Sequence, residues 1–315
     1  MGRKDVEEKG YFDNTLHFAD VCNGILFDGK QKILPQELEE ADAELQFSDK
    51  RMNVAVRVDG IRYWKKQGID LALIAVEHQS NTDYHMVFRN MLTESLAYYR
   101  QWKRNKRRYS REYRKWFGKK FRFRDTKELI SGMRKEDKFI PVILIVINWS
   151  GEKWNGAMTL HEMLRISDEL APFVNNYKLN IFDYHDKEDF SIFKTEVRVV
   201  FEALKNAGNE KKMETVFKCF PRVERETVQL IETLLNIEFD NKYITRNADG
   251  KEVVEMCKAW DDHFNSGRRE GIEQTLLVFI QKKINRNWTL DMIAEDLEED
   301  IEVIRPIYEK AKAEL

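Results

Sequence analysis

Hydrophobic and polar positions in the first ninety residues follow both helical and extended patterns. Apolar residues near helical spacing predict a helix over 15–27. Alternating apolar residues over 52–58 predict a strand with one buried face. The continuous apolar run over 71–76 predicts a strand that is covered on both faces. From Met86 the spacing becomes helical again and predicts a long helix.

Further along the chain the pattern changes from mixed to helical. Apolar runs predict strands at 140–149 and 178–182, while 31–34 and 37–45 are expected to form a short strand and an acidic helix. Beyond residue 187 the spacing is helical, and the expected helices span 187–207, 209–218, 223–236, 251–283, 289–297 and 300–313. These elements predict an α/β fold with a mixed sheet, followed by an all-helical C-terminal half.

Charge is distributed unevenly along the chain. The 315 residues carry a formal net charge of -2. Residues 100–124 contain 13 Lys or Arg and one acid, which gives +12 and leaves -14 for the rest of the chain. A basic segment this dense inside an acidic protein indicates a polyanionic partner.

Composition excludes several classes of protein. No apolar run approaches the ~18–20 residues that a membrane span needs, and the N-terminus lacks the apolar stretch of a signal peptide. The three cysteines are far apart and match neither a zinc spacing nor a disulfide framework. We therefore expect a soluble cytoplasmic protein with no membrane partner.

Polar residues at the end of the second strand are candidates for chemistry. The two strands are expected to pair as an antiparallel hairpin around a loop at 60–68, and the centre of that loop sets a register that places Asn53 opposite Glu77. Because side chains alternate along a strand, Glu77 and Gln79 point to one face and His78 to the other. A buried carboxylate needs a partner. The residues alone leave a metal ion and a salt bridge within the core as alternatives.

Short motifs around this strand end resemble those of a bacterial nuclease family. Residues 75–80 read Ala-Val-Glu-His-Gln-Ser, and residues 84–89 read Tyr-His-Met-Val-Phe-Arg. Further similar motifs stand at 18–23, 28–31, 149–164, 177–180, 252–259 and 267–271. In order and spacing they resemble the Rpn recombination-promoting nuclease and transposase-like group, within the PD-(D/E)XK nuclease superfamily, over roughly residues 10–275.

The resemblance implies a metal-dependent DNA endonuclease with an αβββαβ core and a mixed sheet. Its cofactor would be Mg²⁺ or another divalent cation. Carried over to this chain, Glu77 would bind the metal and Gln79 would orient the attacking water. Asp20 on the first helix would support the metal, or alternatively would bond to nearby backbone groups.

One position departs from the family pattern. The family has an Asp where this chain has Asn53, so that Asn53 would be an uncharged second metal ligand and a weak or absent activity is expected. Asp59 and Asp70 are expected to be poor substitutes. Six residues at ~3.3 Å each place Asp59 about 20 Å from the site in the predicted register.

The basic segment follows the strand end and would contact DNA phosphates without reading sequence. Its alternative is a solvated helix whose aromatic side chains pack on the core. Arg89 would brace Glu77 or contact phosphate. The expected DNA-binding residues are Arg89, Lys103, Arg104, Arg107, Arg108, Arg111 and Arg114.

Three interpretations of function follow. The first is a DNA endonuclease in a bacterial, nucleoid-associated and recombination-related setting; the others are a DNA-binding protein with a degenerate, non-catalytic nuclease core and a helical interaction module that uses the acidic C-terminal helices. The expected domains are a nuclease-like domain over 1–185 with the basic helix at 100–124, a helical region over 186–265, and a helical tail over 266–315. A homodimer is left open.

Overall fold

The computed structural model describes residues 3–49, 52–117 and 126–314. Their contacts form two compact units. The first unit extends to Asn209 and includes Glu226–Asn236, while the second contains Glu210–Arg225 and the chain from Ile237 onward. These limits do not coincide with the domain boundaries predicted after residues 185 and 265, which stay a prediction.

Helices and strands alternate through the first unit, and helices dominate the second. The strands are β1 (Leu38–Glu40), β2 (Glu44–Asp49), β3 (Met52–Arg57), β4 (Gly60–Lys66), β5 (Ile69–Gln79), β6 (Val142–Asn148), β7 (Ile181–Asp183), β8 (Arg222–Glu224), β9 (Ile244–Arg246) and β10 (Glu252–Glu255). The helices are α1 (Arg3–Asp13), α2 (Thr15–Phe27), α3 (Met86–Phe117), α4 (Thr126–Ser131), α5 (Leu160–Met163), α6 (Val197–Asn206), α7 (Glu210–Cys219), α8 (Arg225–Leu235), α9 (Met256–Ile284), α10 (Leu290–Leu297) and α11 (Ile301–Ala313).

A five-stranded mixed sheet lies at the centre of the first unit, in the order β1-β4-β5-β6-β7. Strand β4 runs antiparallel to β1 and β5, whereas β5, β6 and β7 are parallel. Helix α3 provides the long crossover that parallel neighbours require between β5 and β6. The predicted α/β class with a mixed sheet is therefore confirmed, and the run at 140–149 contains β6 while the run at 178–182 overlaps the start of β7.

Two predicted helices occur where the pattern places them. Helix α2 spans Thr15–Phe27, with the side chain of Asn14 accepting a hydrogen bond from the Leu16 amide at its start. It ends at Asp28, whose φ of 53° is left-handed. Helix α3 begins at Met86 and carries the basic segment as far as residue 117; the rest of that segment lies outside the described residues.

The predicted hairpin register is wrong. Residues 60–66 form strand β4 rather than a loop, and β4 pairs with β5 through a tight turn at Gln67 and Gly68. Both turn residues have positive φ, at 51° and 78°, which matches the twist that two-residue hairpins need. Polar residues near this turn hide a strand whose Ile61 packs with Leu73 in the core.

Strand β3 therefore has a different neighbour from the one predicted. It pairs with β2 in a separate two-stranded sheet, in which Asn53 lies opposite Ser48. The acidic helix predicted at 37–45 is also wrong, because the segment enters β1 and β2 and buries Leu38 and Leu45. The acidic composition of this segment favours a helix, but the two leucines are buried by chain in the extended conformation of β1 and β2.

The short strand predicted at 31–34 does not form. The buried side chain of Asn23 on α2 accepts hydrogen bonds from the amides of Lys32 and Ile33 and donates to the Ile33 carbonyl. A side chain of the preceding helix thus satisfies backbone groups that a strand would pair with a neighbouring strand. No apolar pattern in the sequence reveals this contact.

The second unit contains a small sheet, so the prediction of an all-helical C-terminal half is wrong. Strand β10 lies antiparallel between β8 and β9 and buries Val253 and Val254. Strands of three or four residues are too short to leave a clear alternating pattern beside a long helix. Helices α9, α10 and α11 enclose a further core around Ile280, Ile293 and Ile304. Among the described helices, none combines the length and apolarity needed to cross a membrane.

The β4–β5 turn generates a testable prediction. A Cβ at Gly68 would meet no atom within 4 Å, so Gly68→Ala adds only the strain of a left-handed backbone. We expect it to lower the free energy of unfolding in urea by about 1–2 kcal/mol. Gly10→Ala, equally open but helical, should instead raise stability by up to about 1 kcal/mol. Equal effects of the two substitutions would contradict the turn geometry.

Candidate functional site

Glu77 is a buried carboxylate in the middle of the sheet. It lies near the end of β5, between β4 and β6, and its relative exposure is 1%. Arg89, in the first turns of α3, donates from Nη2 to Oε2 of Glu77 over 2.9 Å. The other carboxylate oxygen, Oε1, is buried and has no hydrogen-bond partner among the described residues. One half of this carboxylate is therefore available to a ligand.

The surroundings of Glu77 oppose its ionisation. The pKa of Glu77 is raised to about 7: burial is the largest cause, and the nearby negative charge of Asp59 acts in the same direction, while Arg89 and Lys9 lower the pKa. Because burial is the largest cause, the two cations offset the cost of the charge only in part. The site is therefore one where an additional positive charge would be stabilised.

Asp59 is the acidic neighbour of Glu77. It precedes β4, whose first residue, Gly60, pairs with Val76 of β5. Its Oδ2 accepts the His78 amide proton at 3.0 Å, and its Oδ1 lies 2.8 Å from Nζ of Lys9 on α1. The expectation that Asp59 lies about 20 Å away is wrong, because it depended on the wrong hairpin register.

Asn53 is not placed opposite Glu77. Its strand, β3, pairs with β2 and is not a neighbour of β5. The prediction that Asn53, Glu77 and Gln79 meet at one end of a hairpin is therefore wrong for Asn53. The tight turn at Gln67 and Gly68 is the sequence signal that could have corrected the register, because it leaves Asp59 at the start of the paired strand.

Gln79 and His78 lie on opposite faces of β5, as the alternation predicts. Gln79 is on the Glu77 face and lines the adjoining cleft. The His78 ring stacks on Phe12, and its Nδ1 accepts a hydrogen bond of 2.9 Å from Nε1 of Trp149. These aromatic contacts hold the strand end in place and leave Glu77 and Gln79 as its chemical face.

An open cleft of about 740 Å³ adjoins this face. Its walls come from α1, from the loop after β5 and from the start of α3. It is lined by Glu8, Lys9, Asp59, residues 78–85 and Arg89. Glu8 and Lys9 were not identified from the sequence, because nothing in α1 shows that it packs at the strand end. The cleft thus gathers acidic, basic and amide groups beside a buried carboxylate.

Asp20 lies in a different set of contacts. Its carboxylate accepts hydrogen bonds from the backbone amides of Lys194 and Thr195 and from the Thr195 hydroxyl, at 2.7 to 2.9 Å. These bonds hold the segment before α6 in a non-helical conformation, which explains why the helix predicted over 187–207 begins only at Val197. The contacts match the backbone-bonding alternative for Asp20, and none of them involves Glu77.

The basic segment lies on α3 beyond Arg89. Arg100 pairs with Asp42, and Nζ of Lys103 lies over the Tyr99 ring, whereas Arg104, Arg107 and Arg108 are exposed. Part of this surface rims a second cavity, of about 950 Å³, whose floor is apolar. The helix also contains positions 111 and 114, whose side chains lie outside the described part of the chain. Arg89 itself braces Glu77, one of the two predicted roles.

The donors at the cleft suit a hard divalent cation with an incomplete protein shell. Mg²⁺ is usually held by one or two carboxylates and keeps several waters. Asp59 and Glu77 supply two carboxylates, and the unpaired Oε1 of Glu77 supplies a free lone pair. Within residues 3–49, 52–117 and 126–314, no three His, Cys, Asp or Glu side chains group closely enough to enclose a metal. The residues therefore fit a two-carboxylate site better than a closed cage.

Comparisons with protein-family models, with curated proteins and with solved structures found no match to this chain. The site is therefore characterised by the chemical groups that it contains. Two neighbouring carboxylates, an amide on the same strand face and two cations adjoin one open cleft.

The raised pKa of Glu77 predicts a pH-dependent stability. A carboxyl whose folded-state pKa lies near 7 contributes stability fully below its ordinary pKa of about 4.5 and loses it as the pH rises through 7. The loss corresponds to about 3 kcal/mol. In EDTA, the stability of Glu77→Gln relative to the parent should therefore rise by about that amount between pH 5 and pH 8.

Urea unfolding at a series of pH values measures this difference. Glu40→Gln, the same substitution at an exposed residue of β1, is the matched control and should leave the profile unchanged. A Glu77→Gln profile parallel to that of the parent would show that Glu77 is ionised throughout this range.

Proposed function

We propose that this protein is a Mg²⁺-dependent DNA endonuclease of the Rpn type, within the PD-(D/E)XK superfamily. The observation that carries the proposal is that the carboxylates of Asp59 and Glu77 are close neighbours beside an open cleft, with Gln79 on the same face of β5 as Glu77. The element order supports it. With β2 and β3 set aside because they form a separate sheet, a helix, the antiparallel strands β1, β4 and β5, the helix α3 and the parallel strand β6 follow one another in an order compatible with αβββαβ.

Each polar residue of the cleft takes a role that its position allows. Asp59 and Glu77 would hold the cation, and Gln79, two residues after Glu77, would orient the attacking water. The cation, when bound, would lower the pKa of a water and neutralise charge on the phosphate. Arg89 fixes the orientation of Glu77, and Lys9 does the same for Asp59. Both cations also lie where a phosphate of the substrate would enter.

DNA bound in the cleft would extend along helix α3. The helix begins beside Glu77 and carries cations further along its length: the partly buried Lys103 and the exposed Arg104, Arg107 and Arg108. At 1.5 Å per residue, Arg104 lies about 22 Å along the helix from Arg89. That distance matches several phosphates of one strand, so contacts along α3 would add affinity without sequence preference.

Asn53 is not the second metal ligand in this proposal. The expected weakening of activity rested on an amide at the second ligand position, and the register places the carboxylate of Asp59 beside Glu77 instead. An uncharged residue at position 53 is therefore no reason to expect an inactive enzyme.

A second candidate is a DNA-binding protein whose nuclease core no longer cleaves. One observation favours it: Lys9 pairs with Asp59 and Arg89 pairs with Glu77, so that each carboxylate already has a positive partner. Internal cations of this kind occupy the electrostatic role of a metal. Basic side chains on α3 would then bind DNA with no hydrolysis.

Mg²⁺-dependent nicking of supercoiled plasmid separates the two candidates. Asp59→Asn and Glu77→Ala should each reduce nicking by about 100-fold or more, since even residues behind metal ligands contribute about 10- to 100-fold. Mg²⁺ should also raise the melting temperature of the parent chain but not of Asp59→Asn, because a bound ligand stabilises the folded state.

Two further variants serve as controls. Asp70→Asn removes a carboxylate at the opposite end of β5, where it pairs with Lys65, and Asn53→Asp adds one on β3. Both should nick plasmid at the parental rate. Nicking that survives Glu77→Ala would place the active site elsewhere, and DNA binding without nicking by the parent would favour the second candidate.

The role of α3 predicts a salt dependence of DNA binding. Each phosphate contact contributes about 0.9 to the slope of log K against log salt, so removing two contacts should reduce that slope by about 1.8. The variant Arg104→Gln/Arg107→Gln tests this by fluorescence anisotropy. Lys211→Gln/Arg268→Gln, which neutralises exposed cations of the second unit, should leave the slope unchanged. Equal slopes for both variants would show that α3 is merely solvated.

A further inference from the structure

Tyr84 is an exposed aromatic residue at the mouth of the cleft. Its relative exposure is 69%, although it lines the same cleft as Asp59 and Arg89. Phe88, four residues later on α3, is 47% exposed. Large aromatic side chains dominate binding energy where they are presented to a partner. An exposed tyrosine that lines a cleft of charged groups therefore indicates a contact surface.

The turn that presents Tyr84 is fixed by Asp83. The Asp83 carboxylate accepts a hydrogen bond from the His85 amide at 3.0 Å, and its Oδ1 also contacts Nδ1 of the His85 ring. The Asp83 carbonyl accepts the Met86 amide proton at 3.1 Å. The two residues after Tyr84 are therefore held by the aspartate before it, which reduces the backbone entropy lost when this turn binds a partner.

The same aspartate connects Tyr84 to the buried carboxylate. Nη1 of Arg89 lies 3.4 Å from Oδ2 of Asp83, while Nη2 binds Glu77. One guanidinium thus spans the turn and the strand end. The turn that carries Tyr84 is consequently tied to Glu77 by two ion pairs.

We propose that Tyr84 stacks on an unpaired base next to the phosphate held in the cleft, so that the preferred substrate is DNA with unpaired nucleotides at the cleavage site. This inference rests on the proposed nuclease function. An aromatic side chain stacks on a base of any identity, because every base has a π-face.

Fully paired DNA does not fit this surface equally well. In a duplex the base faces are covered by their neighbours, and the edges alone are accessible in the grooves. The ring of Tyr84 would then meet sugar and phosphate, from which an aromatic gains little. An unpaired base offers its face without the cost of unstacking a paired one, while Lys9 and Arg89 lie in the same cleft for its phosphate.

Fluorescence anisotropy in EDTA tests the inference without cleavage. The two probes are a fluorescein-labelled duplex with a short central gap and a fully paired duplex of the same length. The parent chain should bind the gapped probe more tightly. Tyr84→Ala should weaken binding of that probe by about 5- to 150-fold, the range expected for the loss of one base stack. It should leave binding of the paired duplex unchanged.

Matched variants separate stacking from general hydrophobicity. Tyr84→Phe keeps the ring and should retain parental binding, whereas Tyr84→Leu keeps apolar area without a π-face and should behave like Tyr84→Ala. Phe173→Ala removes a different exposed aromatic, 85% accessible, and should have no effect. The fluorescence of a 2-aminopurine placed in the gap should be quenched by the parent chain and by Tyr84→Phe. Tyr84→Ala and Tyr84→Leu should not quench it.

The outcomes distinguish this inference from the function on which it rests. Equal binding of gapped and paired DNA by the parent, or a Tyr84→Ala variant that binds the gapped probe like the parent, would overturn the inference and leave the nuclease proposal standing. A parent chain that binds neither probe would overturn both. Tight gapped-probe binding that Tyr84→Leu preserves would also overturn it, because area rather than stacking would then account for the contact.

Discussion

The burial of one carboxylate, Glu77, governs the arrangement of the first unit around the sheet. An unpaired buried charge costs several kcal/mol, so a cation must reach it. Arg89 does so from α3, and this contact fixes where the helix starts relative to the end of β5. The same guanidinium binds Asp83, which orders the loop between strand and helix. The strand, the loop and the helix are thus joined through a single side chain.

The geometry that brings Asp59 to Glu77 depends on the turn at the far end of the hairpin. Because the β4–β5 register begins at Gln67 and Gly68, a change of one residue there would move Asp59 along the strand and reverse the faces. Two neighbouring carboxylates repel each other, and Lys9 offsets that cost from α1. The turn therefore holds two carboxylates close together although they repel each other. Groups held in mutually unfavourable positions are common at functional sites.

Much of this arrangement follows from local sequence pattern, and the rest depends on pairing. Helical spacing located α2 and the start of α3, and alternation placed Glu77 and Gln79 on one face, because these features involve neighbours along the chain. Strand partners are a non-local property. Polar residues in 60–68 resemble a loop, so the sequence predicts a hairpin centred on them, with Asn53 opposite Glu77 and Asp59 about 20 Å away. The contact of Lys9 with Asp59 had no local signal.

The balance of charge at the cleft bears on the choice between the proposed metal site and an internal salt-bridge network. Four carboxylates and two cations lie there: Glu8, Asp59, Glu77 and Asp83, with Lys9 and Arg89. When all six are ionised, their formal charges sum to -2, which is the charge that one Mg²⁺ neutralises. A network that served stability alone would need no such excess, since uncompensated charge opposes folding. This negative charge would also repel a phosphate. A cation bound at Asp59 and Glu77 would neutralise it, so that the cleft and the basic helix α3 could both bind DNA as parts of one surface.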